Sequence, residues 1–120
     1  MATILIVDDE PDVCDVMTRL FQKWGWSSEC ITNPRDVHQF VKDRRPDVVL
    51  LDIMMPGLNG FSVLSAIRGD SEIATTPVIL YSALNDEKTL HAALDAGADD
   101  YIVKGTAITK IRERVGLYVA

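Results

Sequence analysis

Positive charge is in short supply in this chain: 12 Lys and Arg stand against 18 Asp and Glu, a formal net charge of −6 over 120 residues. That deficit argues against direct binding to nucleic acid or to an anionic membrane surface. Long apolar runs are missing as well, and none approaches the roughly 20 residues that a membrane-spanning helix requires. Cysteine is scarce. Cys14 and Cys30 carry no metal-ligand spacing and read as small buried apolar side chains of a cytosolic protein. The opening Met1-Ala2-Thr3 lacks the basic region of a signal peptide and leads directly into an apolar run. Low-complexity tracts, charge blocks and linkers are absent. What is present, 48% apolar and 25% charged residues, is the composition of one ordinary soluble domain spanning 1–120, large enough to bury a core.

The clearest feature is Val48-Val49-Leu50-Leu51, a continuous apolar run ending in Asp52 and followed by a Pro56-Gly57 turn. Such a run marks a central parallel strand covered on both faces. A second run, Ile4 to Val7, ends in Asp8-Asp9-Glu10. Pro11 then opens a helix whose apolar stripe is Val13, Val16, Met17, Leu20, Phe21 and Trp24, stopped by Gly25. Trp24 and Trp26 read as core and rim packing. Ser28 to Ile31 is a more polar strand near a sheet edge. Asn33-Pro34 starts a helix that buries Val37, Phe40 and Val41 and leaves His38 in solvent.

A third helix carries Phe61, Leu64 and Ile67 inward and stops at Gly69. Pro77 to Tyr81 is a strand ending in Ser82. Asn85-Asp86-Glu87 caps a helix with Leu90, Ala93 and Leu94 inward and His91 exposed. Tyr101 to Val103 is a short strand ending in Lys104-Gly105. Thr106 caps a last helix with Ile108, Ile111 and Val115 facing in. Strand and helix thus alternate five times, the rhythm of a right-handed parallel array with helices on both sides of a five-stranded sheet.

In such a sheet the carboxyl ends of all strands share one edge, where ligands gather. Asp8 and Asp9, Asp52, Ser82 and Lys104 are the first polar residues after four different apolar runs, so they converge. Three carboxylates about 4–6 Å apart repel one another by roughly 1–4 kcal/mol per pair and call for a cation among them. Oxygen-only ligands suit Mg²⁺ better than Zn²⁺ or Ca²⁺. A divalent ion there would bridge Asp52 to a phosphoryl group, with Lys104 and the Ser82 hydroxyl holding phosphoryl oxygens from the far side.

With Ile-Val-Asp-Asp-Glu at 6–10, Leu-Asp-Ile-Met-Met-Pro-Gly at 51–57, Tyr-Ser-Ala at 81–83 and Gly-Ala-Asp-Asp-Tyr-Ile-Val-Lys at 97–104, the chain resembles a two-component response-regulator receiver domain along its whole length. The resemblance implies a flavodoxin-like (βα)5 three-layer sandwich with strand order 2-1-3-4-5. It implies that Asp52 accepts phosphate from a histidine kinase or histidine phosphotransfer protein. It implies Mg²⁺ held by Asp9, Asp52 and the backbone carbonyl of Met54, with Asp8 acting through water. It implies further that Lys104 contacts the phosphate, that Ser82 is the switch hydroxyl and that Tyr101 is the switch aromatic, which rotates inward and remodels the face made by the fourth helix, fifth strand and fifth helix. The implied protein is a cytoplasmic signalling switch rather than an enzyme. It acts on a downstream protein target or effector domain, as a monomer or a phosphorylation-dependent dimer, and makes no direct contact with nucleic acid or membrane.

Two positions depart from the family pattern. Gly105 stands where proline usually follows the lysine, so the Lys104–Gly105 bond is expected to be trans, a non-proline cis bond costing about 3–4 kcal/mol. Asn59 replaces an aspartate and serves equally well as a helix cap. Met54 and Leu84, both apolar at positions that govern water access to the acyl phosphate, predict slow self-dephosphorylation. A haloacid-dehalogenase-type phosphatase would need a second carboxylate where Met54 stands. A flavodoxin-like nucleotide or flavin binder would need a Ser/Thr/Gly-rich loop in place of Asp8-Asp9-Glu10. A receiver-like adaptor that works without phosphorylation is the remaining alternative.

Overall fold

The computed structural model describes residues 2–55 and 59–119; the Pro56-Gly57 turn expected from the sequence lies outside the described residues. Five short strands, β1 (Thr3–Val7), β2 (Ser27–Ile31), β3 (Val48–Asp52), β4 (Val78–Ser82) and β5 (Asp100–Val103), alternate with helices α1 (Pro11–Lys23), α2 (Val37–Arg44), α3 (Gly60–Arg68), α4 (Glu87–Asp95) and α5 (Ile108–Gly116). The sheet runs in the order β2-β1-β3-β4-β5, and every pairing is parallel.

The two-residue period of the strands divides the core. Leu5, Val7, Val49, Leu51 and Leu80 point to one face, where α2 and α3 bring Val37, Val41, Leu64 and Ile67 and α4 brings Ala93. Ile4, Ile6, Val48, Leu50 and Ile79 point to the other, against Met17 and Phe21 of α1 and Ile111 and Val115 of α5. All five residues of β3 are buried, as its unbroken apolar run requires. β2 lies at the edge and is only half-buried throughout.

The ends of the helices follow local chemistry. Pro11 occupies the first turn of α1, and Gly25 beyond its end takes φ +86°. Asn59 caps α3 by accepting from the Phe61 and Ser62 amides, and Asp86 caps α4 by accepting from the Thr89 amide. Gly60 is the one residue that fits at the start of α3, because a Cβ there would stand 2.5 Å from the Asp52 carbonyl oxygen.

Several expectations require correction. Cys14 and Cys30 are not free thiols; they form a disulfide joining α1 to β2, with Cα atoms 5.9 Å apart. That proximity arises from α1 packing over the edge strand and leaves no mark in the spacing. Thr106 does not cap α5: its hydroxyl donates to the Val103 carbonyl within the preceding turn, and Ala107 holds the cap position. His38 is only part-exposed and pairs with Asp70 at 2.9 Å, alongside Lys42. Leu90, Leu94, Val16 and Ile108 are exposed, because the apolar stripe of each helix is wider than the strip its neighbours cover.

Candidate functional site

Parallel topology brings the ends of β1, β3, β4 and β5 to one edge, and the side chains expected there meet. Lys104, just after β5, donates from Nζ to Asp8 Oδ2 at 3.0 Å and to Asp52 Oδ2 at 3.2 Å. Asp8 is 1% exposed, Asp52 4% and Ser82 0%, so the residues that carry the site sit at the floor of the edge rather than on its rim. The second oxygen of Asp52 accepts from the Met54 amide at 3.1 Å, and the second oxygen of Asp8 from the Glu10 amide at 3.0 Å. These backbone bonds fix both carboxylates in rotation.

Burial pushes the Asp52 carboxyl above its ordinary value, and the charge of Asp8 adds to that. The Met54 amide and Lys104 oppose it without reversing it. For Lys104, burial alone would favour the neutral amine, yet hydrogen bonds to Asp8 and Asp52 outweigh it and the ammonium is held. The floor is therefore two carboxylates sharing one ammonium, with charge still in excess.

Asp9 stands beside them, half-buried, and the carboxylates of Asp8, Asp9 and Glu10 can converge within 4.8 Å of one another. Glu10, exposed at the cap position of α1, was not singled out as a ligand by sequence reasoning, although the acidic run at 8–10 carried the signal. An all-oxygen donor set with excess negative charge fits a hard divalent cation. A cleft of about 540 Å³ opens next to these acids, lined by Asp9, Glu10, Met54, Asn59 and Phe61 among others, so the acidic edge is reachable from solvent.

Ser82 closes β4, and its hydroxyl accepts from the Leu84 amide at 3.2 Å. Tyr101 is turned inward, 4% exposed, with its hydroxyl donating to the Leu84 carbonyl at 2.7 Å. The proposed switch pair thus meets at one loop, residues 82–84. The Lys104–Gly105 bond is trans, and Gly105 takes φ +94°, a conformation open to glycine and closed to proline. The Lys104 amide donates to the Ser82 carbonyl at 2.7 Å, which ties the lysine's backbone to β4. One neighbour escaped sequence reasoning entirely: the Tyr81 ring lies 5.6 Å from the Lys104 ammonium. A tyrosine inside an apolar strand gives no sign of such a contact.

Comparison with known proteins agrees with this geometry. The profile of the response regulator receiver domain matches residues 4–116. The DNA-binding response regulator MtrA of Mycolicibacterium smegmatis is 36% identical over 101 residues, covering 84% of this chain and 43% of that protein. The regulatory protein AtoC of Escherichia coli is 41% identical over 101 residues, 84% of this chain and 22% of its own length. The chain therefore spans less than half the length of these curated relatives. Among solved structures, the BeF3-activated N-terminal receiver domain of RstA from Klebsiella pneumoniae superposes with a TM-score of 0.90 at 28% identity, covering 97% of each chain. A receiver profile matched along nearly all of its length, on a five-stranded sheet whose edge gathers two aspartates, a lysine and a serine, places this chain in the family of response regulator receiver domains.

Proposed function

We propose that this domain is a phosphorylation-controlled switch in which Asp52 is the phosphoacceptor. The observation that carries the reading is the bridge made by Lys104 between Asp8 and Asp52, which gathers residues 96 and 52 positions apart onto one buried floor. A carboxylate oxygen of Asp52 attacks the phosphorus of a phosphohistidine on a histidine kinase or phosphotransfer protein. The P–N bond breaks, its electron pair stays with the imidazole nitrogen, and an acyl phosphate forms.

Asp9, Asp52 and the Met54 carbonyl would hold Mg²⁺, with Asp8 acting through water. The ion, when bound, supplies positive charge to the transferring oxygens. Lys104 then exchanges a carboxylate partner for a phosphoryl oxygen, and the Ser82 hydroxyl, now an acceptor from Leu84, turns to donate to another. Because Ser82 and Tyr101 share the 82–84 loop, that turn reaches the face formed by α4, β5 and α5, where a downstream protein or effector domain reads it.

The domain acts as a monomer or as a dimer formed on phosphorylation. Its chemistry is limited to accepting and losing one phosphoryl group. Met54, exposed at the mouth of the site, and Leu84 present apolar surface where water would approach, so loss is slow.

Incubation with acetyl phosphate and Mg²⁺, read by intact mass, tests the reading. One added phosphoryl in the parent and none in Asp52→Asn supports it. A parent protein that takes up none overturns it in favour of an adaptor that works by binding alone.

A further inference from the structure

We infer that Tyr81 is a positioning residue for Lys104: its ring is the fixed surface against which the ammonium moves between partners. The inference rests on the phosphoacceptor reading above and adds a residue to it.

Among the described residues three groups hold the Lys104 ammonium, namely Asp8 at 3.0 Å, Asp52 at 3.2 Å and the Tyr81 ring at 5.6 Å from its centroid. Register explains the third. Tyr81 on β4 is paired with Asp52 on β3 and with Ile102 on β5, so its side chain leaves the same face of the sheet as the acceptor aspartate. That face is the one covered by α1 and α5, and the ring packs there against the apolar cluster built on Ile6, Met17 and Ile102. That packing holds one side of the half-buried ring, and the ring in turn limits where the lysine can go.

Its attraction for a cation also differs in kind from that of the carboxylates. Asp8 and Asp52 change their hold on Lys104 whenever a cation or a phosphoryl group reaches them. A ring quadrupole stays constant through every such exchange. The need for a constant partner is greater in this chain, because the lysine is followed by Gly105 at φ +94° rather than by a ring-constrained residue.

The test compares Y81L, which keeps apolar bulk but has no ring, with Y81F, which keeps the ring. Phosphorylation by acetyl phosphate with Mg²⁺ should slow about two- to fivefold in Y81L, at unchanged half-saturating acetyl phosphate, and stay at the parental rate in Y81F. In a K104M background Y81L should have no further effect. Independently of any phosphodonor, the Lys104 ε-methylene protons should be displaced upfield by the ring in the parent and in Y81F, and return toward the free-lysine position in Y81L. Equal rates in parent and Y81L, or an undisplaced Lys104 signal in the parent, would overturn the inference. A parent that accepts no phosphoryl group defeats the phosphoacceptor reading instead, and the proton spectrum alone then decides whether the ring holds the lysine.

Discussion

Replacing Asp52 by asparagine should make the domain more stable. Asp8 and Asp52 flank the Lys104 ammonium at 3.0 and 3.2 Å, so their facing oxygens are no more than about 6 Å apart. At an effective dielectric of about 20, that pair repels by about 3 kcal/mol while Lys104 attracts Asp52 by about 5 kcal/mol. Taking the Asp52 charge out of water costs several kcal/mol more, a term of opposite sign to the attraction. The net direction is set by the Asp52 carboxyl itself, which burial holds above its ordinary value: the fold prefers that position neutral. Asp52→Asn supplies a neutral group of the same shape and keeps an oxygen for the Met54 amide; its NH2, a donor, then faces the ammonium, which moves over to Asp8 alone. The small difference of these terms is a gain of about 1 kcal/mol, or about 4 °C in Tm for a domain of this size.

Urea denaturation in the presence of a chelator measures it, and pH identifies the cause. Since the folded Asp52 binds its proton more readily than the unfolded one, the parent gains stability relative to the variant as pH falls through the raised folded value. The gain is complete below the unfolded value of 3.8. The gap between parent and Asn variant is therefore full at neutral pH and closes in acid. An Asn variant less stable than the parent, or a gap unchanged down to about pH 4, would refute the reasoning.

Three further outcomes are expected. Mg²⁺ should stabilise the parent against urea and do so much less in Asp52→Asn, since only a ligand bound to the folded form shifts the transition; equal stabilisation of both would remove Asp52 from the metal site. Arg68 donates to the Gly97, Ala74 and Thr76 carbonyls at 2.9, 3.0 and 2.6 Å and to the Asp99 carboxylate at 2.9 Å, so Arg68→Ala should lower unfolding free energy by about 2–3 kcal/mol in the same titration. The Cys14–Cys30 bridge closes a loop with a sequence separation of 16, and reducing it should cost about 3 kcal/mol; free thiols detected in the unreduced, denatured protein would exclude the bridge.

The sheet and its working edge could be read in advance because both depend on residues next to one another in the chain. Val48 to Asp52 announces a strand buried on both faces and the polar residue that ends it, and four such endings in a parallel array must share an edge. Asn59 and Asp86 were equally legible, since a cap acts within three residues of itself. What escaped depends on which elements pack together. The disulfide needs α1 to lie over β2, the His38–Asp70 pair spans 32 positions, and the Tyr81–Lys104 contact needs β4 and β5 side by side. Helical periodicity located the stripes of α1, α4 and α5 but could not say how much of each a neighbour would cover. Val16, Leu90, Leu94 and Ile108 are the surplus.

Anchorage around the sheet is consequently lopsided. On one face α1 is bolted to its strand covalently and sinks Met17 and Phe21, and on the other α3 sinks Val63, Leu64 and Ile67. By contrast α4, on the same face as α3, buries only Ala93 completely, its two leucines lying 38% and 49% in water. Lifting that helix surrenders one methyl group and the covered halves of two leucines, about 3 kcal/mol of apolar contact, against roughly twice that for the three large side chains of α3. Of these helices α4 is therefore the one that costs least to displace, and hydrogen exchange should find its amides opening before those of α1 and α3.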